Sequence, residues 1–461
     1  MEPRSLKFVA DACGGEIRRG SGETVVKNVC TDSRRAQPGE LFFAIKGEHF
    51  DGHNFLADVA AKGAAAVVVE RGMAPVPLPD CAVLAVDGVR GALGKFAAAY
   101  RGGFDLPMIC VGGSNGKTTV KDLIASVLRQ KLAVLWSEAS FNNDIGVPLT
   151  LARLEKSHQA AVLEAGTNHP GELAPLVKMI QPKIGVITNI GREHLEFFGS
   201  LAGVAAEEGR LAEQLPAEGT LVVNGDSEWT DTLVKGTRAK VVRVGCGKQN
   251  DWRAKGIRLD KSGVTFQVEG PSADWNGEYR VNLLGRHQAT NALLATVVGE
   301  ELGVGRPAVR DGLAQCQPAR MRLQYWEANG VRVLDDAYNA NADSMLAALE
   351  TLCQLPFQGR RVAVLGDMNE LGAHSEAAHA EIGKRAATLG IGQLFAIGKM
   401  APATARAARD AGLWRVMEFA DVDSAVKAVK GFLKPGDVVL LKASRAVHLE
   451  RIAETLKSGE K

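Results

Sequence analysis

The run Gly113-Ser114-Asn115-Gly116-Lys117-Thr118-Thr119 is the stretch best equipped for chemistry. Glycine backbones bring N–H groups against phosphate oxygens, a lysine neutralises charge, and a threonine hydroxyl can hold Mg²⁺. Ahead of it, Leu106 to Val111 reads as a short buried strand. Behind it, Val120, Leu123, Ile124, Val127 and Leu128 recur at helical spacing, so a helix starts on the loop and lends it a dipole. The loop is contracted. The general phosphate-loop pattern places a glycine five residues before the glycine of the Gly-Lys pair, and Val111 stands there. A bare Gly-Lys-Thr would be an ordinary strand-to-helix turn; the strand, the amphipathic helix and the doubled threonine together favour phosphate.

Other polar residues fall at the ends of predicted strands. Ala160–Leu163 leads into Glu164, and Ile184–Asn189 leads toward His194. In doubly wound sheets ligands sit beyond the carboxyl ends of the strands, which is where a metal–nucleotide site needs such residues. Gly285-Arg-His287-Gln-Ala-Thr-Asn291 opens a helix, with His287 and Asn291 on one side of its first turn. Near the N-terminus, Ser33, Arg34 and the Lys46-Gly47 pair could clamp an anion, or could belong to a solvated hairpin.

The elements that must position these residues form an α/β protein. At 461 residues the chain is too long for one core. Residues 1–106 read as a small α/β domain, with strands at 64–70 and 81–87 around a proline-rich turn. Residues 107–317 carry the phosphate loop, βα units of a mostly parallel sheet, and a two-stranded β excursion over Trp252–Val268. Residues 318–461 are a second run of βα units, Rossmann-like, in which Asp343 reads as a helix cap. A net charge of +2 without a long basic run argues against nucleic acid as a partner. No apolar run is long enough to insert in a membrane, so a cytoplasmic protein is expected. The seven cysteines are scattered with no C-x-x-C pair, and buried thiols are expected.

Taken in order, the contracted loop, Glu164-Ala-Gly, Thr188-Asn-Ile with His194, Gly285-x-His287-x-x-x-Asn291 and Asp335 resemble the Mur ligases, the ATP-dependent amide-forming enzymes of peptidoglycan synthesis. The resemblance covers essentially the full length, in three domains. Phe42-Phe-Ala-Ile-Lys-Gly with Asp51-Gly-His, Asp336-Ala-Tyr-Asn-Ala-Asn341, and Leu365-Gly-Asp-Met-Asn-Glu-Leu-Gly372 with Lys442-Ala-Ser-Arg445 point to the branch that adds D-alanyl-D-alanine to UDP-N-acetylmuramoyl-tripeptide. The resemblance implies that Ser33, Arg34, Lys46 and Gly47 hold the UDP end. It implies ATP on Gly113–Thr119, with Asn291 at the adenine and Arg322 and Asp335 reaching the nucleotide from the third domain. Asn339, Asn341, Lys442, Ser444 and Arg445 would serve the incoming dipeptide. Lys117 would act on the phosphates, Thr118 and Glu164 would hold a first Mg²⁺, and His194 a second. The tripeptide carboxylate would be activated as an acyl phosphate and attacked by the dipeptide amine. A monomer is expected. The alternatives are another amide-forming ligase of the same fold, or a nucleotide-binding regulator without catalysis.

Two residues depart from the family pattern. Ala342 replaces a proline, which would loosen a turn. Glu208 stands where the family carries a carbamoylated lysine, and no lysine occurs between Lys183 and Lys235. The hypothesis is that Glu208 supplies the anionic oxygen to the second metal directly, with Glu207 one residue away as the alternative. Glu208→Ala should then cut turnover and spare UDP-substrate binding; normal turnover would exclude the role.

Overall fold

A computed structural model describes residues 1–73, 78 and 80–458. The proline-rich turn expected after Glu70 lies largely outside the described residues. Three main sheets carry the chain. A five-stranded sheet runs Glu16–Arg19, Ala82–Val86, Ala66–Glu70, Leu41–Phe43, Val29–Cys30 in spatial order. The central sheet has nine strands, and seven of them, from Val134–Trp136 to Trp252–Asp260, are parallel. The third, six-stranded sheet is parallel except for the edge strand Gln324–Ala328.

The strand Met108–Gly112 lies in the middle of the central sheet, between Ala160–Glu164 and Ile184–Ile187. Its side chains alternate between two cores, as the strand period of two requires. Met108 and Cys110 pack with the helices Val89–Arg101 and Leu173–Ile180, while Ile109 and Val111 pack with Lys117–Leu128 and Gln288–Glu301. A strand buried on both faces reads as an unbroken apolar run, which is why it was visible in the sequence. The first of these cores also contains Leu6, Phe43 and Phe96, so the N-terminal sheet is fused to the central one through the helix Val89–Arg101. Tyr100 donates to the Leu154 carbonyl at 2.6 Å and closes this seam.

Three local expectations are corrected. The β excursion has a third strand, Gly277–Val281, antiparallel to Gly263–Glu269. The helix Ala342–Gln354 is capped by Asn341, whose side chain accepts from the Ser344 amide while the Ser344 hydroxyl accepts from the Asn341 amide. Asp343 lies inside the first turn. Ala342 is the first helical residue, a position that tolerates proline because its N–H has no intrahelical acceptor, so its effect falls on a helix start and not on a turn. Cys13, Cys30, Cys81, Cys110 and Cys316 are buried free thiols, whereas Cys246 is exposed and Cys353 half-buried.

Candidate functional site

Gly113 and Gly116 adopt φ of 106° and 84°, the left-handed region that glycine enters without strain. A side chain at Gly113 would also drive a carbon to 2.8 Å from the Thr188 amide nitrogen. The neighbouring strand's loop braces the turn: Ser114 N–H donates to the Asn189 carbonyl at 2.8 Å, and Gly191 N–H to the Ser114 hydroxyl at 2.8 Å. The helix Lys117–Leu128 starts on Gly116 with no side-chain cap. Its first amides therefore have no acceptor within the helix, which makes this end an anion site.

Lys117 folds back on the loop. Its ammonium donates to the Gly113 carbonyl at 2.6 Å and lies 3.5 Å from Glu193 Oε2. Burial alone would lower this ammonium, but Glu193, Glu208 and Glu164 outweigh burial and hold it above its ordinary value. Register sets Glu164 beside Val111, one strand over. Thr118 donates to Glu164 Oε2 at 2.9 Å, and Asn142 donates to Oε1 at 2.8 Å. Thr118 and Glu164 thus come together as expected, with Ser140 and Asn142 as partners that the sequence did not single out.

His194 opens the short helix Leu195–Phe198 at φ 49°. Its Nδ1 lies 2.5 Å from Oε2 of Glu370, a residue of the third domain. Its Nε2 faces Glu193 Oε2 at 3.9 Å. Glu193 is 8% exposed; burial pushes its carboxyl up, against the pull of Lys117 and then His194.

The adjacent carboxylates on the helix Leu201–Glu213 divide differently from the expectation. Glu207 accepts the Gly171 and Leu173 amides, both at 2.9 Å, and so anchors the start of the helix Leu173–Ile180. Glu208 lies beneath the phosphate loop, 1% exposed, and accepts the Gly113 N–H at 2.6 Å. Its Oε1 has no partner. Burial pushes its carboxyl up to about 7. Glu208 is absent from the cavity wall, so it supports the loop from below instead of facing a ligand on top of it.

Above the loop lies a cavity of about 1120 Å³. The central domain supplies Lys117, Thr118, Glu164, Glu193, His194 and Asn291 to its wall, and the third domain supplies Arg322, Asp336, Asn339, Asn341, Lys442, Ser444 and Arg445. Arg322 stacks over Tyr338 at 4.1 Å and reaches the Thr118 hydroxyl at 3.4 Å. Lys442 pairs with Asp336 at 2.6 Å and donates to the Asn339 carbonyl at 3.0 Å; burial lowers its ammonium. Asn341 donates to Asn115 Oδ1 at 2.9 Å, and Arg192 bridges to Asp343 at 2.7 Å, so the third domain rests directly on the phosphate loop.

Several expected residues lie elsewhere. Asp335 is buried at the strand end, accepts from the Ala337 amide at 3.3 Å and is off the cavity; Asp336 takes its place on the wall. Ser33, Arg34, Lys46 and Gly47 also do not line it. Arg34 is held by Asp32 at 2.8 Å, and Lys62 donates to the Ser33 carbonyl at 2.7 Å. The first domain reaches the cavity instead through Arg90, ion-paired to Asp144. Among the described residues, no three His, Cys, Asp or Glu side chains converge into a metal site of their own.

Family models described as the Mur ligase family catalytic domain, the Mur ligase middle domain and the Mur ligase glutamate ligase domain match residues 25–101, 111–299 and 321–445. The UDP-N-acetylmuramoyl-tripeptide–D-alanyl-D-alanine ligase of Escherichia coli is 36% identical over 461 residues, covering 99% of this chain and 98% of that protein. A crystal structure of MurF from Acinetobacter baumannii superposes with a TM-score of 0.90 at 32% identity, covering 99% of both chains. MurF from Thermotoga maritima in complex with ADP does so with a TM-score of 0.81 at 26% identity, covering 94% of this chain and 97% of that one.

Proposed function

Because the chain belongs to the Mur ligase family, we propose that it is the ATP-dependent ligase that joins D-alanyl-D-alanine to UDP-N-acetylmuramoyl-tripeptide. The observation that carries this reading is the convergence of the phosphate loop, Glu164 and His194 with Arg322, Asn339 and Lys442 on one cavity between two sheets.

Phosphoryl transfer from ATP to a carboxylate brings two anions together, so the site must supply positive charge. Lys117 does so from the central domain and Arg322 from the third. Their present contacts, to the Gly113 carbonyl and the Thr118 hydroxyl, are ones that phosphate oxygens can replace. Thr118 and Glu164 present hard oxygens 2.9 Å apart, a donor set suited to Mg²⁺, which would screen the phosphate charge. The carboxylate oxygen bonds to the γ-phosphorus as ADP leaves. The dipeptide amine then bonds to the acyl carbon, loses a proton, and phosphate departs. The acyl phosphate must be kept from water. The Asn341–Asn115 and Arg192–Asp343 contacts hold the third domain down over the loop and serve that purpose.

Asn291 is assigned to the adenine, and Asn339, Asn341, Lys442, Ser444 and Arg445 to the dipeptide. Ser33, Arg34, Lys46 and Gly47 are assigned to the UDP end, on the first domain's own surface. Glu208 is assigned to support of the loop. We place the domain divisions at 106/107 and 317/318. No helix among the described residues is long and apolar enough to cross a membrane, and we place the reaction in the cytoplasm, carried out by a monomer.

Phosphate release from ATP in the presence of UDP-N-acetylmuramoyl-tripeptide tests this reading. It should require D-alanyl-D-alanine. Release that depends instead on a diamino acid or on glutamate would overturn it.

A further inference from the structure

The helix Lys117–Leu128 carries two lysines one turn apart. Lys117 folds onto the phosphate loop and lines the cavity; Lys121 does not line it and is 1% exposed. A lysine is almost never sealed in this way unless its charge and its donors have partners. An ammonium has three hydrogens to donate, and three acceptors lie within reach. Lys121 Nζ donates to the Ser137 carbonyl at 2.6 Å and the Ala139 carbonyl at 2.8 Å, and lies 3.0 Å from Asp122 Oδ1.

The two carbonyls belong to the segment that leaves the strand Val134–Trp136. Ala139 adopts φ 44°, a left-handed conformation that alanine enters only when its surroundings hold it there. The Ala139 side chain is exposed, so packing on it does not fix the turn. A backbone bond inside the turn, from Phe141 N–H to the Glu138 carbonyl at 3.1 Å, shapes it, and the Lys121 ammonium ties its main chain to the phosphate-loop helix.

Beyond the turn, the segment meets the two residues assigned to the phosphate. Ser140 Oγ comes to 3.0 Å from Thr118 Oγ1 and 3.4 Å from the Arg322 guanidinium, and Asn142 donates to Glu164 Oε1 at 2.8 Å. Glu164 N–H donates back to Ser137 Oγ at 3.3 Å. Gly166 N–H donates to the Asn142 carbonyl at 2.9 Å, and a Cβ at Gly166 would come 2.5 Å from Asn142 Nδ2. One segment therefore grips both the helix that carries Thr118 and the strand end that carries Glu164.

We propose that Lys121 is a positioning residue for phosphoryl transfer. Its ammonium pins residues 137–142, and the pinned segment holds Ser140 against Thr118 and Asn142 against Glu164, so that the hydroxyl and the carboxylate stand ready where the phosphate is transferred. The proposal rests on the reading of the cavity as an ATP site. Nucleotide affinity draws mainly on other groups, the phosphate-loop amides, Lys117 and Asn291. Release of the segment is therefore felt in turnover and not in affinity.

The test compares Lys121→Met, Asn142→Ala and the double variant in the full-length protein. Three quantities are read: steady-state phosphate release, the affinity for a fluorescent ATP analogue, and hydrogen exchange of the 137–142 amides. Lys121→Met should lower kcat about 10- to 100-fold, change the nucleotide dissociation constant by less than about threefold, and speed exchange across the segment. Asn142→Ala should lower kcat by about 10-fold, and the double variant should be no slower than Lys121→Met alone, because both substitutions break the same support. An unchanged kcat in Lys121→Met, a loss of nucleotide affinity that accounts for the whole effect, or single effects that multiply in the double variant would overturn the proposal. If Lys121→Met does not fold, Lys121→Gln, uncharged and too short to reach both carbonyls, takes its place under the same criteria. The ligase reading fails in wild type alone, through phosphate release that does not need D-alanyl-D-alanine. The present proposal fails only in the variants, measured against wild type with whichever amine wild type uses.

Discussion

Replacing Glu208 by glutamine should change how stability responds to pH. In the folded chain burial pushes the Glu208 carboxyl from its ordinary 4.5 up to about 7, and the pull of Lys117 and of the Gly113 N–H does not offset it. Between those two values the folded state keeps a proton that the unfolded chain has released, so this group's contribution to stability falls as pH rises. Below about 4.5 it is neutral in both states and costs nothing. Above about 7 it is charged in both, and the penalty is complete at about 3 kcal/mol. Most of that change, about 2–3 kcal/mol, falls between pH 5 and pH 8. Glutamine keeps an oxygen for the Gly113 N–H and places its amide nitrogen where Oε1 now lies unpartnered. That substitution carries a cost independent of pH. The variant should therefore gain on wild type between pH 5 and pH 8 by about 2–3 kcal/mol, or about 5–10 °C in the melting of a domain this size. Calorimetric scans without nucleotide and in EDTA measure it. A melting difference that is the same at both pH values would refute the argument that Glu208 is a desolvated carboxylate beneath the loop.

Three further outcomes follow from the geometry. Lys117→Ala should lower ATP turnover by at least about 10²-fold, because one fixed cation at a phosphoryl-transfer site is worth roughly 3 kcal/mol; steady-state assays alongside an unchanged melting curve would separate this from misfolding. Arg192→Ala breaks the ion pair to Asp343 at 2.7 Å, which is partly exposed and worth about 1 kcal/mol after screening. It should raise the radius of gyration in small-angle scattering at low salt, and an unchanged profile with unchanged turnover would deny the pair any role in closure. Asn341→Ala removes the helix cap on Ser344 and the bond to Asn115, and should cost about 1–2 kcal/mol in thermal melts of the third domain.

The parts of the site written in local sequence were legible. Gly113–Thr119 could be read because a tight turn needs glycine, a buried strand is an apolar run, and the following helix repeats its apolar residues every three to four positions. Glu164 and His194 were found because strand ends are where parallel sheets bind ligands. The β strand Gly277–Val281 was missed because Glu278, Tyr279 and Arg280 alternate too briefly to mark a strand without its neighbour Gly263–Glu269.

What the sequence by itself determined is therefore the set of chemical groups and the order of the elements that carry them. The tertiary structure decided which member of each adjacent pair is used. Neighbours on a helix point about 100° apart, so Glu207 anchors an amide pair while Glu208 turns under the loop. At the end of the strand Val331–Asp335, Asp335 turns into the protein and Asp336 faces the cavity. Such a choice depends on what packs on each side, and those partners come from segments far away in the chain. Glu370 meets His194 across 176 positions, a contact that no local pattern encodes.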